Sequence, residues 1–141
     1  MSIIFASCLI IAIADGDTLT AQCDQQQIKV RLAEIDAPEK KQSFGQRSKQ
    51  SLAEMCLNRR AVITPLTVDR YRRTIAHVVC NDVDANAEQL RRGMAWVYDK
   101  YVKNKTLFAV QDEAQRLRVG LWGESNPIPP WVWRHSENNR K

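Results

Sequence analysis

The sequence predicts an α+β fold, a five-stranded β-barrel carrying about three helices, and three observations predict it. Short strand-like segments separated by turn signals fill the first half. A single helical segment interrupts them after the third strand. The second half reads as helices.

The strands come first. Cys8 to Ala14 is an apolar run, followed by Asp15-Gly16-Asp17, a hairpin-turn signal, and by Thr18 to Cys23 as the returning strand. Gln26 to Ile35 alternates, with Ile28, Val30 and Leu32 on one face. Pro38 lacks a ladder donor and biases Ala37 toward an extended conformation, so this strand should end near Asp36. A helix follows from about Phe44 to Leu57, with Phe44, Ser48, Leu52 and Met55 near helical spacing. Ala61 to Val68 and Thr74 to Cys80 form a second hairpin around Asp69-Arg70-Tyr71-Arg72. Five strands with a helix after the third is the order of an OB-fold barrel.

The helices of the second half follow. Ala85 to Arg92 is short and ends at Gly93, a natural C-terminal cap. Thr106 to Val119 is longer, with an apolar stripe of Leu107, Val110, Ala114, Leu117 and Leu121 and with Gly120 as its stop. Pro127, Pro129 and Pro130, set among Trp131 and Trp133, predict an extended strap on the surface. The four tryptophans, Trp96, Trp122, Trp131 and Trp133, read as core or strap anchors.

The 141 residues fit one domain, 1–141, able to bury a core without help from a metal. Residues 1–7 and 136–141 are expected to be flexible. Met1 to Phe5 reads as a signal-sequence remnant or as an added start, because no Lys or Arg precedes the apolar run. No stretch is long and apolar enough to span a membrane. The net charge of +5, from 21 Lys and Arg against 16 Asp and Glu, suits a polyanionic partner as well as simple solubility. The two histidines, His77 and His135, lie apart, and no zinc-type cluster is suggested.

The four cysteines pair by register. With Asp15-Gly16 at the centre of the first hairpin, Cys8 faces Cys23; Cys56 ends the first helix near the strand whose partner ends at Cys80. Cys8–Cys23 and Cys56–Cys80 are therefore the expected disulfides, with four buried thiols as the alternative. Disulfides imply an oxidising compartment, hence a periplasmic or secreted protein.

Three polar clusters sit at strand ends: Asp15 to Thr18, Arg31 to Glu39 (RLAEIDAPE), and Asp69 to Thr74 (DRYRRT). Hydrolysis of a phosphodiester needs charge neutralised at the phosphate, an activated water, and alignment of both. Carboxylates for a hard cation, another as base, and two arginines supply that chemistry. Taken alone, each cluster also has a plain structural reading as a turn, a loop cap or solvated strand residues.

In sequence order, DGDT, RLAEIDAPE, FGQRSKQSLAEM, DRYRRTIAHV, GMAWVY and RVGLW resemble the staphylococcal (micrococcal) nuclease family over about Asp15 to Trp133. The resemblance implies a staphylococcal nuclease-like OB-fold barrel and a calcium-dependent endonuclease. Its substrates would be DNA and RNA, and the phosphate would stay on the 3′ side. It implies that Asp17, Asp36 and the backbone carbonyl of Ala37 bind Ca2+, that Glu39 is the general base, and that Arg31 and Arg73 bind the phosphate. Asp15 is implied near the metal, as support outside its direct ligands. Tyr71 and Tyr98 are candidate nucleotide contacts, with ordinary packing as the alternative. Ala37 stands where the family commonly has Thr, which leaves the backbone oxygen in place. Arg72 stands where the family usually has Gly, which alters the loop that aims Arg73 or adds a phosphate contact. Some relatives have lost the acidic and arginine residues and serve as non-catalytic nucleic-acid-binding modules. Here all five remain, which favours the enzyme over that alternative and over a protein-interaction module using the Trp-rich C-terminal segment.

Overall fold

The computed structural model describes residues 4–139, with side chains to residue 137. The chain runs β1 (Phe5–Asp15), β2 (Thr18–Cys23), β3 (Gln26–Leu32), β4 (Ile35–Asp36), α1 (Gly45–Cys56), β5 (Arg60–Val68), β6 (Thr74–Cys80) and β7 (Val83–Asp84). Then come α2 (Ala85–Arg91), β8 (Trp96–Val97), α3 (Thr106–Leu117), a 3-10 turn (Gly120–Gly123) and α4 (Pro130–Asn139).

Five of the strands close into a barrel in the order β3-β2-β1-β5-β6, with parallel β3–β6 pairing as the seam. Inward positions carry Ile10, Leu19, Val30, Leu32, Ile63 and Val78, all fully buried, which is the alternation that a barrel wall requires. The α+β barrel expected from the strand order is therefore the observed architecture. Asn86 of α2 pins that helix to the wall: its amide donates to the Ala33 carbonyl at 2.9 Å and its Oδ1 accepts from the Val78 N–H at 3.0 Å.

Both expected disulfides are present, Cys8–Cys23 with Cα atoms 4.5 Å apart and Cys56–Cys80 with Cα atoms 5.3 Å apart. Their loops of 15 and 24 residues correspond to about 3 kcal/mol each in the chain-entropy estimate. The register behind the first pair differs from expectation. The turn sits at Gly16-Asp17, one residue later than the Asp15-Gly16 centre, and Asp15 faces Thr18. Register shifts between Ile10 and Ala12 and between Ile13 and Asp15 restore the Leu9–Gln22 facing, and so bring Cys8 onto Cys23.

Several boundaries move. β1 starts at Phe5, so residues 5–7 belong to a strand, not to a flexible end; residues 1–3 and 140–141, also expected to be flexible, lie outside the described residues. β3 stops at Leu32 because Glu34 adopts a left-handed φ of 70°, and Ile35–Asp36 restarts as β4 against β8. α3 ends at Leu117, two residues early, with Arg118 in the left-handed region as its cap. The extended strap is the main correction: Pro130 opens helix α4, which runs through the 136–139 segment. Proline fixes φ at a helical value and lacks only an N–H that the first turn does not use, so Pro129-Pro130 starts a helix here. The Pro129 carbonyl accepts from Val132 and Trp133 at 3.0 Å. The tryptophans anchor this end: Trp96 packs on Trp122 at 4.4 Å and on Trp131 at 5.8 Å between ring centres.

Candidate active site

The Gly16-Asp17 turn, the β3–β4 bend and the loop before α1 converge at one end of the barrel. Gly16 is fixed by close approach: a Cβ there would lie 1.8 Å from Ser48 Oγ of α1 and 2.8 Å from Ala37 Cβ. Its carbonyl accepts from the buried Gln89 amide of α2 at 2.7 Å. The turn is thus clamped between two helices, and Asp17 is aimed inward.

Asp17 is buried and accepts from the Ala37 N–H at 2.7 Å and from the Thr18 hydroxyl at 3.1 Å. Arg31 lies across it. Arg31 Nη1 donates to the carbonyls of Leu32 and Ile35 at 2.7 and 2.8 Å, which locks the guanidinium in place. Its Nη2 then reaches Asp17 at 3.4 Å and Asp36 at 3.2 Å. Two carboxylates, one from the β1–β2 turn and one from β4, share one guanidinium nitrogen.

Glu39 sits on a loop closed by Gln42, whose Oε1 accepts from the Glu39 N–H at 3.1 Å and whose N–H donates back to the Glu39 carbonyl at 2.9 Å. A Cβ at Gly45 would come within 2.0 Å of that carbonyl, so the loop rests directly on the start of α1. The Glu39 carboxylate meets Arg134 of α4 at 2.7 Å. Arg134 also forks onto Asp36, with Nη2–Oδ2 at 2.7 Å and Nη1–Oδ1 at 3.2 Å. Sequence reasoning missed Arg134, because the prolines read as an extended strap. The available signal was a helix-compatible Pro130 with Trp131 and Arg134 three residues apart, which places them on one face.

Charge shapes this cluster. Burial and the neighbouring Asp17 charge push the Asp15 carboxyl up to about 7, while its Oδ1 accepts from the Asp17 N–H at 3.1 Å. For Asp17, burial acts upward, but the Arg31 charge and the hydrogen bonds it accepts outweigh it and hold it low. Asp36 is raised by burial and by Asp17, against the pull of Arg134 and Arg31. Four carboxyls (Asp15, Asp17, Asp36 and Glu39) face two guanidiniums, an excess of acid that favours a divalent cation.

Hydrogen bonds and ion pairs join most of the expected residues and leave Arg73 to its own loop. Asp17, Asp36, Ala37, Glu39 and Arg31 are brought together, with Asp15 beside Asp17. Arg73 stays at the tip of the β5–β6 hairpin, its Nε 2.8 Å from Asp69 Oδ2 and its guanidinium 5.6 Å from the centre of the Tyr71 ring. Arg72 holds φ at 66°, the conformation for which glycine is usual. Tyr71 is 65% exposed and free to meet a ligand. Tyr98 is half-buried and stacks on Trp131, with ring centres 5.5 Å apart and planes 7° from parallel. His77 pairs with the buried Glu34 at 3.0 Å, a structural role.

Among the described residues no group of three or more His, Cys, Asp or Glu is arranged to hold a metal. The candidate set is leaner: two buried carboxylates that touch the same arginine nitrogen, beside the backbone at Ala37. Calcium tolerates such a set, since it takes six to eight oxygens in flexible geometry and accepts carbonyl, water and phosphate oxygens. The residues fit a hard cation, and the all-oxygen donors do not suit a soft one.

Comparison with known proteins identifies the family. The family described as staphylococcal nuclease homologue matches residues 29–124. An uncharacterized endonuclease of Haemophilus influenzae is 42% identical over 132 residues, covering 93% of this chain and 74% of the relative. Micrococcal nuclease of Shigella flexneri is 38% identical over 141 aligned positions, covering 92% of this chain and 81% of the relative. Staphylococcal-like nuclease CAN1 of Arabidopsis thaliana is 35% identical over 112 residues, 79% of this chain and 35% of the relative. With the barrel, the family match over more than half of the chain and the identity to the Haemophilus relative in agreement, the chain belongs to the staphylococcal nuclease homologue family.

Proposed function

We propose that the protein is a calcium-dependent, sugar-nonspecific nuclease that hydrolyses phosphodiester bonds in DNA and RNA and leaves the phosphate on the 3′ side. The observation that carries this reading is Arg31 bridging Asp17 and Asp36, with Glu39 tied to the same Asp36 through Arg134. Asp17, Asp36 and the Ala37 carbonyl would hold Ca2+, which as a Lewis acid offsets charge developing on the phosphate. Arg31, fixed by two carbonyls, presents a preorganised cation to that charge without having to reorganise. Glu39, at the rim with its side chain 35% exposed, is placed to accept a proton from water. Arg73, on its hairpin, is the second phosphate ligand and assists the leaving oxygen. Tyr71 and Tyr98 flank the nucleotide. The two disulfides support an oxidising compartment, periplasmic or extracellular. No described helix is long and apolar enough to cross a membrane.

Digestion of plasmid DNA and of RNA tests this. Cutting with calcium and little cutting with a chelator is the expected pattern, with Glu39→Ala slower by about 10²–10⁴-fold. Equal cutting by the chelated protein, or by the folded Glu39→Ala variant, overturns the assignment.

A further inference from the structure

Helix α4 reaches the acidic cluster through Arg134. Arg134 takes both oxygens of Asp36, a carboxylate 1% exposed, and adds Glu39 at 2.7 Å. The contact joins residues 98 positions apart. It is supported by a second, independent anchor, Trp131, stacked on Tyr98 and edge-on to Trp96. α4 therefore covers both the carboxylate proposed for the cation and the ring proposed for the nucleotide.

We propose that Arg134 is a built-in counter-cation that calcium displaces from Asp36, so that α4 sets the calcium concentration at which the site loads. This inference rests on the calcium reading above and concerns how that same site is regulated. The argument is one of competition. A guanidinium that forks onto both oxygens of a carboxylate uses the lone pairs that a hard cation needs. Both cannot hold Asp36 fully at once. Arg31 does not compete in this way, because two carbonyls hold it and it gives Asp36 only one contact. Arg134 has room to leave: its side chain is 34% exposed, while α4 itself keeps the Trp131 packing and the connector keeps its Gln42 Nε2 to Ile128 carbonyl bond at 2.6 Å. A site whose open form is only fractionally populated binds its ligand more weakly by that fraction. Linkage then makes the effect mutual, and calcium loosens α4 by the same factor that α4 weakens calcium.

Calorimetric titration of calcium alone into the parent and into Arg134→Gln, without nucleic acid, reads the first half. Amide hydrogen exchange of residues 131–137 with and without calcium reads the second. Arg134→Gln should bind calcium about tenfold more tightly, within the usual range of coupling energies. Arg134→Lys, which keeps the charge but loses the fork, should fall between the two. In the parent, calcium should lower protection across 131–137. Equal or weaker calcium binding by Arg134→Gln overturns the proposal. So does tighter binding with α4 protection unchanged, which marks a through-space charge effect without displacement. If the folded parent and variant both fail to bind calcium, the calcium reading itself has failed and this inference falls with it. Parent binding with no difference between variants removes this inference alone. Should Arg134→Gln not fold, the exchange experiment on the parent still decides.

Discussion

Arg31 and Arg73 are the two arginines matched to phosphate binding, and the molecule treats them in opposite ways. Arg31 sits in the barrel wall, held by the Leu32 and Ile35 carbonyls and pressed on two buried carboxylates. Arg73 sits on a hairpin tip, and its charge partner is Asp69, four residues away on the same loop. The Arg31 contacts of the wall half are finished before any ligand arrives. The tip half is held locally, by the ion pair and hydrogen bonds within its own loop. Preorganisation and adaptability are thus divided between two residues of the same type.

The sharpest way to break that division is at the wall. Arg31→Ala removes a charge fixed where phosphate charge develops, so turnover should fall by about 10²–10³-fold. It also leaves Asp17 and Asp36 short of a partner in a buried site, which should cost about 3–5 kcal/mol of stability. Calcium should recover part of that loss by taking the same carboxylates. Thermal denaturation with and without calcium, beside single-turnover cleavage, checks both. An unchanged melting temperature in the absence of calcium would show that the wall contact holds nothing.

At the tip the expected effect is smaller. Asp69→Ala removes the acceptor for the Tyr71 and Arg73 N–H groups, both at 2.9 Å, and the partner of the Arg73 guanidinium. Burial draws the Asp69 carboxyl upward, but the N–H bonds and the Arg73 charge outweigh it and hold it low. The loop should lose about 1–2 kcal/mol. KM should rise roughly tenfold with kcat changed less, since a disordered tip weakens phosphate capture before chemistry. A fall in kcat as large as that of Arg31→Ala would place Arg73 in the finished half of the site and erase the distinction.

Acidity sharpens the contrast again, because the wall holds two raised carboxyls, Asp15 and Asp36, around the lowered Asp17, while the tip holds a lowered Asp69. Asp15, pushed from 3.8 to about 7, keeps in the folded protein a proton that the unfolded chain releases. The native state binds more protons across that window, so this group's contribution to stability falls as pH rises from about 4 to about 7. Asp36, also raised, acts in the same direction. Calcium favours the ionised cluster, so its affinity should climb over the same interval and protons should be released on binding. Asp15→Asn should flatten both profiles. Calorimetry in buffers of different ionisation enthalpy measures the release, and parent and variant giving equal release would remove Asp15 from the cluster.

What the residues disclosed in advance follows the same line between wall and tip. Asp17, Arg31 and Asp36 were readable because DGDT and RLAEIDAPE, in that order, resemble the nuclease family's motifs, while the strand pattern only set these clusters at strand ends. The disulfides were readable from register, although the turn lies one residue later and irregularities in β1 restore the pairing. Arg134 was not, because proline has two structural meanings. It breaks a strand and it begins a helix, and only the packing of Trp131 on Tyr98 and Trp96 selects the second. The pairing of Arg73 with Asp69 was hidden for another reason: an arginine at a loop tip has partners on its own loop and across the site, and spacing alone does not rank them.

The smallest effect lies at the residue next to Arg73, and it tests whether the tip tolerates its own backbone. The Asp69 carbonyl accepts from the Arg72 N–H at 3.0 Å, and the Arg73 carbonyl accepts from the Asp69 N–H at 2.9 Å. Between them Arg72 holds φ at 66°, the left-handed residue of a short hairpin loop. A non-glycine residue there costs about 1–2 kcal/mol, while glycine loses about 0.5–1 kcal/mol more chain entropy on folding. Arg72→Gly should therefore stabilise by about 0.5–1 kcal/mol and raise Tm by about 2 °C. Arg72 is exposed, and no contact ties it to Asp17, Asp36 or Glu39 among the described residues. Steady-state cleavage should accordingly keep kcat within about twofold of the parent, a change too small to be the loss of a phosphate ligand. A large fall in kcat together with a higher Tm would mean that the strained arginine is kept for the reaction, and would move part of the phosphate site from Arg73 onto its neighbour.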